Sequence, residues 1–137
     1  MNVGILIITH GNIGAILLQT AIHVLGMCPL STKTLSAPPD CNSDKVFNDA
    51  ILATEELDSG DGVLILTDMY GATPSNIACR LVNSQDIRIV SGINLPMLIR
   101  ALNYPNLSLD KLTEKAVSGG RDGVQTCQQE ITKNAHN

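Results

Sequence analysis

Three short polar turns interrupt the apolar runs of this chain, and each carries residue types able to do chemistry. Thr9-His10-Gly11 holds an imidazole, Asp68 opens a turn that continues through Gly71-Ala72-Thr73-Pro74, and Gly92-Ile93-Asn94 forms the third. A carboxylate close to a histidine can hold one ring nitrogen as a donor, leaving the other nitrogen with a lone pair free to attack. Such a pair serves hydrolysis only with a nucleophilic Ser or Cys on an elbow, and the chain contains no G-x-S-x-G. The alternative is that His10 is itself the nucleophile and takes up a phosphoryl group. That chemistry needs in-line approach and donors for the equatorial oxygens, which a helix start at Thr73 with Gly71, Ala72 and Gly11 nearby would supply without a metal.

Several neighbouring chemistries are poorly supplied. The absence of G-x-x-x-x-G-K-[ST] argues against a nucleoside triphosphate as direct donor. Gly11-Asn12-Ile13-Gly14 is a fragment of a dinucleotide fingerprint that lacks its first glycine and its acidic partner, so no nucleotide cofactor is expected. Cys28, Cys41, Cys79 and Cys127 are widely spaced, with no CxxC or Cys/His cluster, and read as free thiols rather than a metal site. Taken singly, Asp68 reads as a turn cap, Thr73-Pro74 as a helix start and His10 as a loop residue; only their convergence points to function.

The elements that must bring them together are legible as periodic runs. Val3 to Ile8 is a continuous apolar stretch, the pattern of a strand buried on both faces, and helical spacing begins at Ile13 and runs to a terminator at Gly26. Its apolar residues fill a wide arc, which predicts a mostly buried helix, with His23 on the polar side. Ser31 to Ala37 is a weaker strand ended by Pro38-Pro39, and a helix capped by Ser43 or Asp44 follows, with Val46, Phe47, Ala50, Ile51, Thr54 and Leu57 inside. Glu55, Glu56, Asp58 and Asp61 read as a solvated acidic patch.

Gly62 to Thr67 is a second buried strand, leading to a helix capped by Thr73 and running to about Val82 or Asn83. Ile87 to Ser91 is a third buried strand, followed by a helix capped by Asn94 with Pro96 in its first turn. A last amphipathic helix carries Leu109, Leu112, Ala116 and Val117 and closes at Gly119-Gly120. Arg121 to Thr126 reads as one short strand, and residues 127–137 as a polar, mobile tail.

Alternation of strand and helix gives an α/β fold, an open four-stranded parallel sheet with helices on both faces, in one domain over residues 1–126. With the first strand inside and the chain reversing direction after the second, the order is 2-1-3-4. The switch point then lies between the first and third strands, with His10 and Asp68 on either side of one crevice.

Bulk composition narrows the function further. The 137 residues are 44% hydrophobic but only 2% aromatic, with no Trp and a net charge of -4. Base stacking and phosphate neutralisation both lack their residues, so no nucleic-acid partner is expected. The first apolar run is too short for a signal peptide core or a membrane span, which predicts a cytoplasmic protein without direct membrane insertion.

The turns together resemble a known family. Thr9-His10-Gly11, Asp68-x-x-Gly71-x-Thr73-Pro74-x-Asn76, Gly92-Ile93-Asn94-Leu95-Pro96-Met97 and a closing Gly120-Arg121-Asp122-Gly123-Val124 resemble the mannose-family enzyme IIA domain of the bacterial phosphoenolpyruvate-dependent phosphotransferase system, over Met1 to about Val124. The resemblance implies a phosphohistidine relay in which His10 accepts a phosphoryl group from the phosphocarrier protein HPr and passes it to a IIB component for sugar uptake. It assigns Asp68 to orienting the imidazole and Thr73 to holding the phosphoryl group, and it implies a homodimer that exchanges a C-terminal strand, a role for Arg121 to Thr126. No IIB domain follows in this sequence, so a separate IIB chain is expected. A phosphorylation-sensing regulatory module and the phosphotransfer subunit of a dihydroxyacetone kinase are the rival readings. Many members carry two glycines where this chain has Gly71-Ala72; a positive φ at the second would strain Ala72.

Overall fold

The computed structural model describes residues 2–40, 42–82 and 86–127. Four strands, β1 (Gly4–His10), β2 (Thr32–Ala37), β3 (Val63–Thr67) and β4 (Ile87–Ser91), pair in parallel in the order β2-β1-β3-β4. Five helices accompany them: α1 (Ile13–Leu25), α2 (Ser43–Leu57), α3 (Thr73–Cys79), α4 (Leu95–Leu102) and α5 (Leu109–Asp122). The α/β class and the strand order expected from the sequence are both found.

Period-two alternation divides the two central strands between two cores. Ile5 and Ile7 of β1 and Leu64 and Leu66 of β3 point to one face, where Ala21 of α1, Leu98 of α4 and Leu112 and Ala116 of α5 cover them. Leu6, Ile8, Val63 and Ile65 point to the other, packed by Val46, Ala50 and Leu57 of α2 and Ile77 and Ala78 of α3. Ile5 to Ile8 and Leu64 to Leu66 are completely buried, and each such side chain contributes about 1.5–3 kcal/mol relative to exposure. The polar turns at the ends of β1 and β3 therefore begin from strands whose side chains are sealed on both faces.

The structure corrects several local expectations. Helix α1 is not mostly buried: only Gly14 and Ala21 are, while Ile13 is 48% and Ile16 and Val24 are 59% exposed. Its small residues face the sheet, and one flat sheet cannot cover an apolar arc that wide. The cap of α2 is Asn42, whose side chain accepts from the amides of Asp44 and Lys45, rather than Ser43 or Asp44. Asp58 accepts from the amides of Gly60 and Gly62, and Glu56 pairs with Lys33, so part of the acidic patch is structural. Thr73 is the first residue of α3 and not its cap, which is Ala72. That helix also ends at Cys79, beyond which Leu81 and Val82 bond back only three residues in a tightened turn. Asn83 lies outside the described residues.

Strand β4 is an edge strand in which only Val90 is buried. Gly119-Gly120 does not close α5, which runs on to Asp122 with both glycines helical. A Cβ on Gly119 would stand 2.7 Å from Cβ of Arg100, and one on Gly120 the same distance from Cε of Met97, so the pair exists to let α5 lie against α4. Arg121 and Asp122 are accordingly in the last helical turn, and residues 123–127 form no strand within this chain. The polar tail from residue 128 lies outside the described residues.

Gly62 has φ +85°, and a Cβ there would meet the Asp86 carbonyl oxygen at 2.6 Å. Left-handed strain and backbone overlap combine, so Gly62→Ala should lower unfolding stability by about 2–4 kcal/mol in urea titration.

Candidate functional site

Strands β1 and β3 are neighbours, with Ile8 opposite Thr67. Beyond that pair β1 continues through Thr9 and His10 beside β2 alone while β3 gives way to Asp68, at the switch point where α/β sheets open a crevice. His10 and Asp68 meet there. The His10 ring Nδ1 lies 2.8 Å from Asp68 Oδ2, and the His10 backbone amide donates to the same oxygen at 3.1 Å. An ionised carboxylate can only accept, so Nδ1 carries the proton and Nε2 holds the lone pair.

The two side chains sit in different environments: the imidazole is 44% exposed and the carboxylate 13%. Asp68 Oδ1 is buried and has no donor among the described residues. Burial pushes the Asp68 carboxyl up, but the hydrogen bonds from the His10 ring and amide and the electrostatic attraction between the two groups outweigh it, holding the pKa below the ordinary carboxylate value. The histidine it orients thus favours the ionised form of Asp68.

The other turn residues take definite places. Gly11 has φ +49° and Gly71 φ +83°, both with open space where a Cβ would stand, so each lets another molecule approach the backbone. Ala72 has φ -83° and ψ 174°, unstrained extended backbone, so the Gly71-Ala72 departure has no conformational cost. Its amide donates to the Met69 carbonyl at 3.3 Å. Thr73 opens α3 on the exposed side, with its hydroxyl in no hydrogen bond among the described residues, and the Asn76 side chain ties the loop through the Gly71 carbonyl.

The third turn supports the other two. Asn94 accepts from the Met97 amide and donates to the Gly120 carbonyl, so both its polar ends are used in joining α4 to α5. The amides of Gly92 and Ile93 both donate to the Thr67 carbonyl, and the Thr67 hydroxyl meets that of Ser91 at 2.7 Å. Asp68 is therefore anchored through the residue before it. Reasoning from sequence overlooked Thr67, and it left Thr9 without a role although Thr9 accepts the Gly14 amide at 2.9 Å. The available signal was a hydroxyl at the end of each otherwise aliphatic buried run.

Comparison with known proteins shows the family and the fold. The family model EIIA-man, described as the PTS system fructose IIA component, matches residues 4–117. The chain belongs to the EIIA-man family. It is 33% identical over 128 residues to the mannose-specific EIIAB component of Escherichia coli K12, covering 91% of this chain and 39% of that protein, so it spans about two fifths of that relative's length. The fructose-specific EIIA component of Bacillus subtilis is 28% identical over 83 residues, 59% of this chain and 57% of the relative.

Among solved structures, the PTS IIA protein associated with the fucose utilization operon of Streptococcus pneumoniae superposes with a TM-score of 0.83 at 28% identity, over 96% of this chain and 97% of that one. The mannose/sorbose IIA subunit of Enterococcus faecalis gives 0.82 at 23% identity over 93% and 96%, a likeness of fold. This EIIA chain is a component of the sugar phosphotransferase system of the mannose/fructose family. Among the described residues no helix is long and apolar enough to cross a membrane, and no group of three or more His, Cys, Asp or Glu could hold a metal ion.

The electrostatics lead to a measurable coupling. In His10→Ala the ring's hydrogen bond to the carboxylate is lost, so the Asp68 carboxyl should titrate at a higher pH than in the native chain, read by carboxyl 13C NMR. In the native chain the bond is intact at neutral pH and lost as pH falls through the depressed Asp68 pKa.

Proposed function

We propose that this EIIA chain is a phosphohistidine carrier in which His10 accepts a phosphoryl group from HPr and passes it to a IIB component for sugar uptake and phosphorylation. The observation that carries this reading is the 2.8 Å bond between His10 Nδ1 and Asp68 Oδ2, which leaves Nε2 as the nucleophile on a half-exposed ring. The Nε2 lone pair attacks phosphorus, and the bond from phosphorus to the donor breaks with its electron pair leaving on the donor. The proton on Nδ1 stays in place, and the positive charge the ring gains faces the Asp68 carboxylate. Transfer to IIB reverses these steps, with the phosphorus–Nε2 pair returning to the ring.

The phosphoryl oxygens would lie against the open backbone of Gly11 and Gly71, with Ala72 lining the loop and the Thr73 hydroxyl as donor. Exposed apolar side chains flank the pair in sequence: Ile13 and Ile16 after His10, and Met69 and Tyr70 after Asp68, with Tyr70 85% exposed. A face of that kind suits a protein donor and acceptor better than a free small molecule. The setting proposed is the cytoplasm.

A second observation supports a homodimer. Among the described residues β4 pairs in the sheet with β3 only, and beside it lies a groove of about 510 Å3 lined by Ile89, Ser91, Gly92, Val117, Arg121 and Val124. A C-terminal segment from a second copy, drawn from the residues that follow α5, would add main-chain partners along that edge. Sedimentation at micromolar concentration should give twice the chain mass, and a monomer would remove this part of the reading.

Incubation with phosphoenolpyruvate, enzyme I and HPr should add one phosphate to the native chain by mass and none to His10→Ala. Asp68→Asn, with its fold retained, should transfer on the order of a hundredfold more slowly. Equal uptake by His10→Ala would remove the proposal. Transfer onward to the nucleotide-loaded subunit of a dihydroxyacetone kinase but not to IIB proteins would favour that rival, and transfer to neither a regulatory role.

A further inference from the structure

We propose that Thr9 is a positioning residue for phosphoryl transfer at His10, acting through its hydroxyl on the turn that carries the ring. This rests on the reading of His10 as the phosphoryl acceptor.

Thr9 follows four aliphatic residues in β1 and is itself 1% exposed. A hydroxyl at such depth is unfavourable unless it is paired. Its partner is the amide of Gly14 at 2.9 Å, in the first turn of α1. The cap residue of that helix, Asn12, makes no side-chain hydrogen bond, so the helix is capped by the preceding strand instead of by its own cap residue. The bond closes a ring of chain from Thr9 to Gly14, and His10, Gly11, Asn12 and Ile13 are inside it.

The ring leaves His10 little freedom. Asp68 grips its amide and its Nδ1 from the β3 side, and the Thr9–Gly14 bond fixes the far limb of the same turn from below. Gly14 is matched to this contact: a Cβ there would stand 3.1 Å from Thr9 Oγ1 and 2.7 Å from Cγ2 of Ile7. With both ends of the turn tied, Nε2 is held in one direction relative to an incoming phosphorus. A displacement of about 1 Å at a reacting atom can cost on the order of a hundredfold in rate. Thr9 reaches neither the ring nor the phosphoryl group by any contact described, so its effect is on geometry alone.

Thr9→Val keeps the shape and removes the acceptor, whereas Thr9→Ser keeps the acceptor. With phosphorylated HPr as donor, Thr9→Val should slow maximal transfer to His10 by on the order of tenfold, with KM for HPr changed less than about twofold. Thr9→Ser should recover most of that loss. Independently of transfer, 15N NMR should show the His10 Nδ1–H exchanging faster in Thr9→Val than in the native chain and Thr9→Ser. Should Thr9→Val not fold, Thr9→Ala carries the same comparison.

Unchanged transfer and unchanged ring resonances in Thr9→Val would overturn the role, as would equal losses in the valine and serine variants. A loss appearing only in KM would also overturn it. If the native chain takes up no phosphate, the carrier reading fails by itself, and the ring exchange still decides whether Thr9 orders the turn.

Discussion

The bond between the imidazole of His10 and the carboxylate of Asp68 is the interaction on which the site depends. It joins the ends of two adjacent parallel strands, and it exists because β1 and β3 are neighbours although 58 residues separate the partners. A parallel sheet whose chain reverses direction between its first and third strands places two loop ends over the same crevice. Burial by itself would favour a neutral Asp68, and the histidine's hydrogen bonds and charge reverse that preference. Each group thus biases the other: the carboxylate fixes the tautomer, and the ring's hydrogen bond favours the ionised carboxylate.

Rigidity at this point comes from the aliphatic strands behind it. Ile5 to Ile8 and Leu64 to Leu66 are sealed between two helical layers, so the polar turns project from backbone that has little room to move. Hydroxyls at the strand ends continue that order into the turns. Thr67 receives the amides of Gly92 and Ile93 on its carbonyl and Ser91 on its side chain, while Thr9 binds the first turn of α1. Asn94 extends the framework to α4 and α5 through the Gly120 carbonyl. A rigid base under a half-exposed ring holds Nε2 in one direction toward solvent, as the proposed carrier role would require.

Reading the sequence recovered most of this arrangement, for identifiable reasons. Continuous β-branched and leucine runs specified the buried strands, and the polar turns after them specified where the chemistry lies. Expectations failed where a decision depended on a neighbour in space. Gly119-Gly120 resembles a helix stop, but α4 presses on it and the missing side chains serve close packing. The wide apolar arc of α1 suggested burial, yet only the side carrying Gly14 and Ala21 has a sheet to pack against. The short strand expected at Arg121 to Thr126 finds no partner within one chain, and its first two residues continue a helix instead.

By itself the sequence determined the class of fold and the order of its elements, and it singled out His10, Asp68 and Thr73 as candidates for chemistry, because periodicity and turn chemistry are local properties. Tertiary structure alone decided that one carboxylate oxygen takes both the ring and the amide of His10, leaving Nε2 as the free nitrogen. It also decided that Ala72 is unstrained, and that Thr9 caps a helix which its own cap residue leaves open. The physical reason is the same in each case: tautomer, dihedral angle and hydrogen-bond partner are settled by atoms brought close by the packing of distant segments. No local pattern of residues contains those distances.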